Sequence, residues 1–173
     1  MRPQSVSLSA AGFSPWLNIN RMPQGNFGVA FAGEISSGAS LTWGVQHTYD
    51  QLYEPTKEWS ASRTTTTGTI ALAAHKLSVG DWVEMDAAAP FNQAYSVASI
   101  VDANSFTVTV ANSGATSVAK GASNLWTARV VDHSVTAKTT SFEGSYAVPP
   151  TAIRLNVSAY TSGNVSLNVI QVG

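Results

Sequence analysis

The sequence predicts an all-β fold: an antiparallel, jelly-roll-like sandwich interrupted by an inserted small β-barrel domain. Three observations carry this expectation. Apolar and polar residues alternate in short runs rich in β-branched side chains. Gly, Asn, Asp, Ser and Pro punctuate those runs. No window shows the i, i+3, i+4, i+7 stripe with capping residues that marks a helix. With 44% hydrophobic and 11% charged residues, the 173-residue chain has enough apolar surface to bury a core.

The first candidate strands are residues 6–9, 16–20 and 27–31. Residues 40–47 place Leu41, Trp43 and Val45 on one face and Thr42, Gly44 and Gln46 on the other, so one side of this strand faces a core. Near the end, residues 152–158 and 165–171 alternate in the same way. Residues 160–164 between them have turn chemistry, and the pair reads as a terminal hairpin.

The middle follows a tighter rhythm. After the Thr run at 64–67, strands are expected over 69–72, 82–85, 95–101 and 106–110, joined by turns such as Ser78-Val79-Gly80-Asp81 and Asp102-Ala103-Asn104-Ser105. This predicts a self-contained small β-barrel or meander over residues 63–122, inserted into a discontinuous sandwich made from 1–62 and 123–173. Insertion at a loop tip is tolerable, because doubling a loop costs only about 0.6 kcal/mol.

Charge argues against several function classes. A net charge of -1 and a pI near 6.3 leave no positive excess for a nucleic-acid backbone, and no basic amphipathic stretch suggests a membrane surface. Cys is absent, which removes disulfides and thiolate metal sites and fits assembly in a reducing cytoplasm. The first residues lack the apolar core of a signal peptide, so synthesis without an export signal is expected.

The residues of catalysis are scattered. His47, His75 and His133 fall in separate segments without zinc-like spacing, no G-x-S-x-G elbow or phosphate loop occurs, and Asp81 and Asp102 sit where Asx-turns are expected. No catalytic residue, metal or other cofactor is therefore expected. Among the aromatics, Trp43 reads as core. Phe13, Trp16, Tyr49, Tyr53 and Trp59 lie near strand ends or in loops flanked by Pro15 and Pro55, where a partner contact and a place in the core are both open.

Both ends of the chain carry a resemblance. Trp43-Gly44-Val45-Gln46-His47-Thr48-Tyr49-Asp50, Ser145-Tyr146-Ala147-Val148-Pro149-Pro150-Thr151-Ala152-Ile153-Arg154-Leu155-Asn156-Val157 and Gly163-Asn164-Val165-Ser166-Leu167-Asn168-Val169-Ile170-Gln171 resemble small β-sandwich virion proteins of tailed bacteriophages. In the insert, His75-Lys76-Leu77-Ser78-Val79-Gly80-Asp81-Trp82-Val83 and Tyr95-Ser96-Val97-Ala98-Ser99-Ile100-Val101-Asp102-Ala103-Asn104-Ser105-Phe106-Thr107-Val108 resemble a module widespread in phage structural proteins, which usually has Gly where this chain has Lys76. The resemblance implies a capsid decoration, or cement, protein on the outer surface of the virion, or another accessory protein of the neck, tail or a receptor- or glycan-binding fibre. It implies contact with the major capsid protein or other virion proteins, a homo-oligomeric or multi-copy arrangement, and no catalytic residues.

Overall fold

The computed structural model describes residues 3–19, 28–52 and 55–172. The strands, in chain order, are β1 (Gln4–Leu8), β2 (Gly12–Phe13), β3 (Leu17–Asn18), β4 (Gly28–Ile35) and β5 (Ser40–Thr48). Then come β6 (Trp59–Thr64), β7 (Thr67–Leu72), β8 (Trp82–Met85), β9 (Ala94–Asp102), β10 (Ser105–Thr109), β11 (Ser117–Val118) and β12 (Leu125–Ala128). The last are β13 (Val131–Asp132), β14 (Phe142–Tyr146), β15 (Ala152–Ser162) and β16 (Val165–Val172). The protein is all-β: the described residues contain no helix, and so none long and apolar enough to cross a membrane.

The chain forms two compact units, Met1–Tyr49 with Val131–Gly173, and Asp50–Val130. These boundaries lie outside the expected 63–122. A break after residue 62 would cut β6, which pairs along its length with β7, and β12 pairs with β8, so backbone hydrogen bonding assigns both to the middle unit. Alternation along 59–64 is equally compatible with either unit, which is why the sequence misplaces the break.

The first unit contains two antiparallel sheets, ordered β1-β16-β4-β14 and β13-β5-β15-β2, with β3 also pairing to β15. Their inward rows interdigitate in one core: Val29 and Phe31 from β4 and Val165, Leu167 and Val169 from β16 meet Leu41, Trp43 and Val45 from β5 and Leu155 and Val157 from β15. The expected terminal hairpin does not form. β15 pairs with β5 and β16 pairs with β4 and β1, so the two strands belong to different sheets. The chain crosses between them at Gly163, whose φ of 91° and close approach to Ala39 both exclude a side chain.

One contact sets the spacing of these sheets. On Gly33 of β4, a Cβ would stand 1.9 Å from Cη2 of Trp43, so the indole fills the place of the missing side chain. Trp43 is fully buried, and its Nε1–H donates to the Thr140 carbonyl at 3.1 Å. Phe31 lies across Gly144, its cross-strand neighbour on β14, in the same manner.

The second unit is one curled seven-stranded antiparallel sheet, ordered β11-β6-β7-β10-β9-β8-β12. Its core includes Trp59, Ile70, Val83, Phe91, Phe106 and Leu125. Asp81 is buried and staples two loops, accepting from the N–H groups of Ser78 at 2.7 Å and Val130 at 2.8 Å. Asp102 makes an Asx-turn by accepting from the Asn104 N–H at 2.7 Å. Lys76 has a φ of 54°, in the left-handed region that favours glycine.

Substituting Gly33→Ala is expected to destabilise the first unit by about 1–3 kcal/mol, because the added methyl collides with a ring that has no free volume to enter. Denaturant unfolding followed by Trp fluorescence measures this, and an unchanged midpoint would show that the indole is free to move.

Candidate interaction site on the outer sheet face

Strand register builds a polar row across the outer face of the β13-β5-β15-β2 sheet. Ile153, Leu155 and Val157 point into the core, so Arg154 and Asn156 point outward. Arg154 lies opposite Gln46 on β5, and Gln46 lies opposite Asp132 on β13. The Gln46 amide bridges them: Arg154 Nε donates to Oε1 at 2.9 Å, and Nε2 donates to Asp132 Oδ1 at 2.8 Å.

On the other side of β15 the edge is broken. β3 pairs at Ala152 and Ile153 and β2 pairs at Asn156 and Val157, leaving Ser14, Pro15 and Trp16 as a bulge between them. Ser14 closes the gap, its backbone N–H donating to the Leu155 carbonyl and its Oγ accepting from the Leu155 N–H, both at 3.0 Å. This delivers two aromatic rings to Arg154. The guanidinium carbon lies 4.2 Å from the centre of the Phe13 ring and 4.6 Å from that of Trp16, within the range of cation–π attraction.

Arg154 is only 2% exposed, although among the described residues no carboxylate is in contact with its charge. Burial lowers its pKa to about 10, with Asp132 opposing the shift, so it remains a cation near neutral pH. Its Nη2 is buried without a hydrogen-bond partner.

Behind the same two strands, on the inner side, sits an aromatic and imidazole cluster. His47 follows Gln46 and His133 follows Asp132, so alternation turns both rings toward the opposite sheet. There His47 packs edge-on to Tyr146 at 5.1 Å, and His133 packs against Tyr146 at 4.8 Å and Phe31 at 5.0 Å. His133 Nδ1 accepts from the Val135 N–H at 3.0 Å, which makes Nε2 the protonated nitrogen facing the Ser145 carbonyl. His75 in the second unit repeats this turn, with the Leu77 N–H on Nδ1 at 3.0 Å and Nε2 against the Asp102 carbonyl. The His47 pKa is lowered, chiefly by burial and then by His133, against the pull of Asp132. Burial raises the Tyr146 pKa, with Tyr49 adding to it.

The sequence-derived contact residues separate. Phe13 and Trp16 come together on Arg154, with Phe13 46% exposed. Tyr49 is equally exposed at the end of β5, edge-on to His47 at 5.3 Å. Tyr53 lies outside the described residues. Trp59 is no surface residue: it faces inward on β6, is buried in the core of the second unit, and donates its indole N–H to the Ser123 carbonyl at 2.9 Å. Arg154, Gln46 and Asp132 were not singled out by sequence. The available signal was an Arg between Ile and Leu in an alternating strand, an outward cation with both neighbours in the core.

Among the described residues no group of three or more His, Asp or Glu is placed to hold a metal ion. A recess of about 250 Å³ beside Leu41 is lined by Ser40, Thr42, Thr139 and Thr161 and by the partly exposed Tyr160. No protein-family model, curated protein or solved structure matches the chain.

Two expectations follow from the site. His47 takes up its proton less readily folded than unfolded, so the unfolded chain binds more protons from the ordinary value of 6.5 down to the lowered folded value. Stability therefore falls as pH drops through that window, and denaturant midpoints at about pH 7.5 and about pH 5 measure the loss. His47→Phe, which keeps a ring, flattens the dependence. Separately, Arg154→Met replaces a buried cation by an apolar chain of similar length. Its unfolding free energy is expected to match the parent's or to rise by up to about 1–4 kcal/mol, whereas a strong loss would make Arg154 a structural keystone.

Proposed function

We propose that the chain is a structural accessory protein of a tailed-bacteriophage particle, a capsid decoration protein without catalytic function that binds the assembled head. The observation that carries the attachment role is the Phe13–Arg154–Trp16 assembly, an aromatic surface braced from beneath by a buried cation. A side chain already held in place loses little freedom on binding, so its contact area is converted into affinity with less entropic cost. The head as the partner is supported by the resemblance of both segments of the chain to phage structural proteins.

The mechanism is linkage. A protein that binds the assembled shell and not its dissociated subunits stabilises the shell by RT ln(1 + [L]/Kd) per site, about 2.7 kcal/mol at a hundredfold excess over Kd, repeated over many copies. The major capsid protein is the partner this requires. A second reading, a neck, tail or fibre protein that binds a receptor glycan, is favoured by the recess beside Tyr160 with its Ser and Thr residues, because sugars are held by polar hydrogen bonds and aromatic faces.

Co-sedimentation with expanded heads of the phage that encodes the chain tests the proposal. Saturable, multi-copy binding that raises the temperature of head disruption is expected, and Trp16→Ala should weaken it about tenfold, corresponding to about 1.4 kcal/mol. Absence of binding to heads, with the protein found at one vertex or at the tail tip, would favour the glycan reading instead.

A further inference from the structure

The outer face of the β13-β5-β15-β2 sheet holds a charge whose hydrogen-bonding capacity is not met. Arg154 carries five N–H donors in a planar fork. Nε is used on Gln46, while Nη2 is buried and unpaired. The rings of Phe13 and Trp16 attract the cation but offer no lone pair to its N–H groups. Asp132 is held away from it, its Oδ1 occupied by the Gln46 amide that separates the two side chains.

We propose that Arg154 is the receptor for a carboxylate on an acidic side chain of a partner protein, admitted when the Phe13 ring swings aside. The group that complements an unpaired guanidinium edge is a carboxylate, which accepts two parallel N–H bonds in the plane of the fork. A monoanion suits the site: Arg154 is the sole cation of the row, and Asp132 repels any further negative charge, which disfavours a phosphate dianion. The cover is light. Phe13 belongs to a two-residue strand at the sheet edge, and its ring is 46% exposed. The partner acid supplies a counter-charge that none of the described residues places against the guanidinium.

This inference uses the attachment reading only for the nature of the partner, and its first test needs no particle. The Arg154 Nε–H and Trp16 Nε1–H signals of the intact chain are followed by ¹⁵N NMR while acetate, chloride or phosphate is added at matched ionic strength. Acetate is expected to shift both signals saturably, and chloride and phosphate only slightly and without saturation. Folded Phe13→Ala, with the cover removed, should bind acetate at least threefold more tightly, and Arg154→Met should show no saturable shift at Trp16. Equal responses to acetate and chloride, or acetate binding retained in Arg154→Met, would overturn the proposal. If Arg154→Met does not fold, the parent and Phe13→Ala titrations decide the matter alone.

The source of the carboxylate is read on heads whose surface acids have been amidated by carbodiimide and glycinamide. The parent chain should lose most of its binding to them, and retention of full affinity would overturn the assignment of the carboxylate to the partner protein. Acetate binding with no head binding would leave the site standing and remove the head. Head binding with no acetate response would do the reverse.

Discussion

The architecture of the first unit turns on Trp43 filling the space that Gly33 leaves empty. Trp43 belongs to β5 in one sheet and Gly33 to β4 in the other, so the contact fixes how closely the sheets approach and where along each other they sit. The same residue anchors the returning chain. Its backbone exchanges hydrogen bonds with Lys138 at 2.8 Å in both directions, and its indole N–H reaches Thr140. With β5 held in this way, its register with β15 decides which side chains face out. A slip of one residue would turn Arg154 into the core and Leu155 into solvent, so the outer row exists only because the inner packing is specific.

The same register couples two clusters that lie on opposite sides of one sheet. Gln46 and Asp132 point outward to Arg154, while their neighbours His47 and His133 point inward to Tyr146 and Phe31. Asp132 acts on both, opposing the shifts of Arg154 and of His47. The charge on one carboxylate at a short edge strand thus biases a cation outside and an imidazole inside. The inner cluster joins both sheets, since His47 and His133 come from one and Phe31 and Tyr146 from the other.

Much of the secondary structure was legible because alternation reports directly on burial. Residues 40–47 and 152–158 read as strands, the first with Leu41, Trp43 and Val45 as its inward row, and Trp43 reads as core. Alternation does not report on pairing. The segments 152–158 and 165–171 look like two arms of a hairpin, yet each has an apolar row that buries equally well by facing the other across a core. Only the positive φ at Gly163 marks the crossing. The same blindness misplaced the break near residue 62 and left Trp59 open between a partner contact and the core, when its side of β6 faces inward. The candidate site was half visible. Phe13 and Trp16 drew attention as aromatics beside Pro15, but the cation that joins them lies on a strand near the other end of the chain, and no local pattern links the two.

The energetics of that cation bear on why it is there. An effective cost of several kcal/mol attends the removal of a guanidinium from water. Against it stand two ring contacts, each about 0.5–2 kcal/mol, and one charge-assisted hydrogen bond of about 1.5–3 kcal/mol. These offset the cost without clearly exceeding it, and the unpaired Nη2 adds a further unfavourable contribution. An apolar side chain at position 154 would cover the rings of Phe13 and Trp16 without any of this. Stability alone therefore does not account for an arginine at this place in the sheet. A guanidinium held in fixed orientation beneath a light aromatic cover, with its counter-charge left to another molecule, is accounted for by recognition.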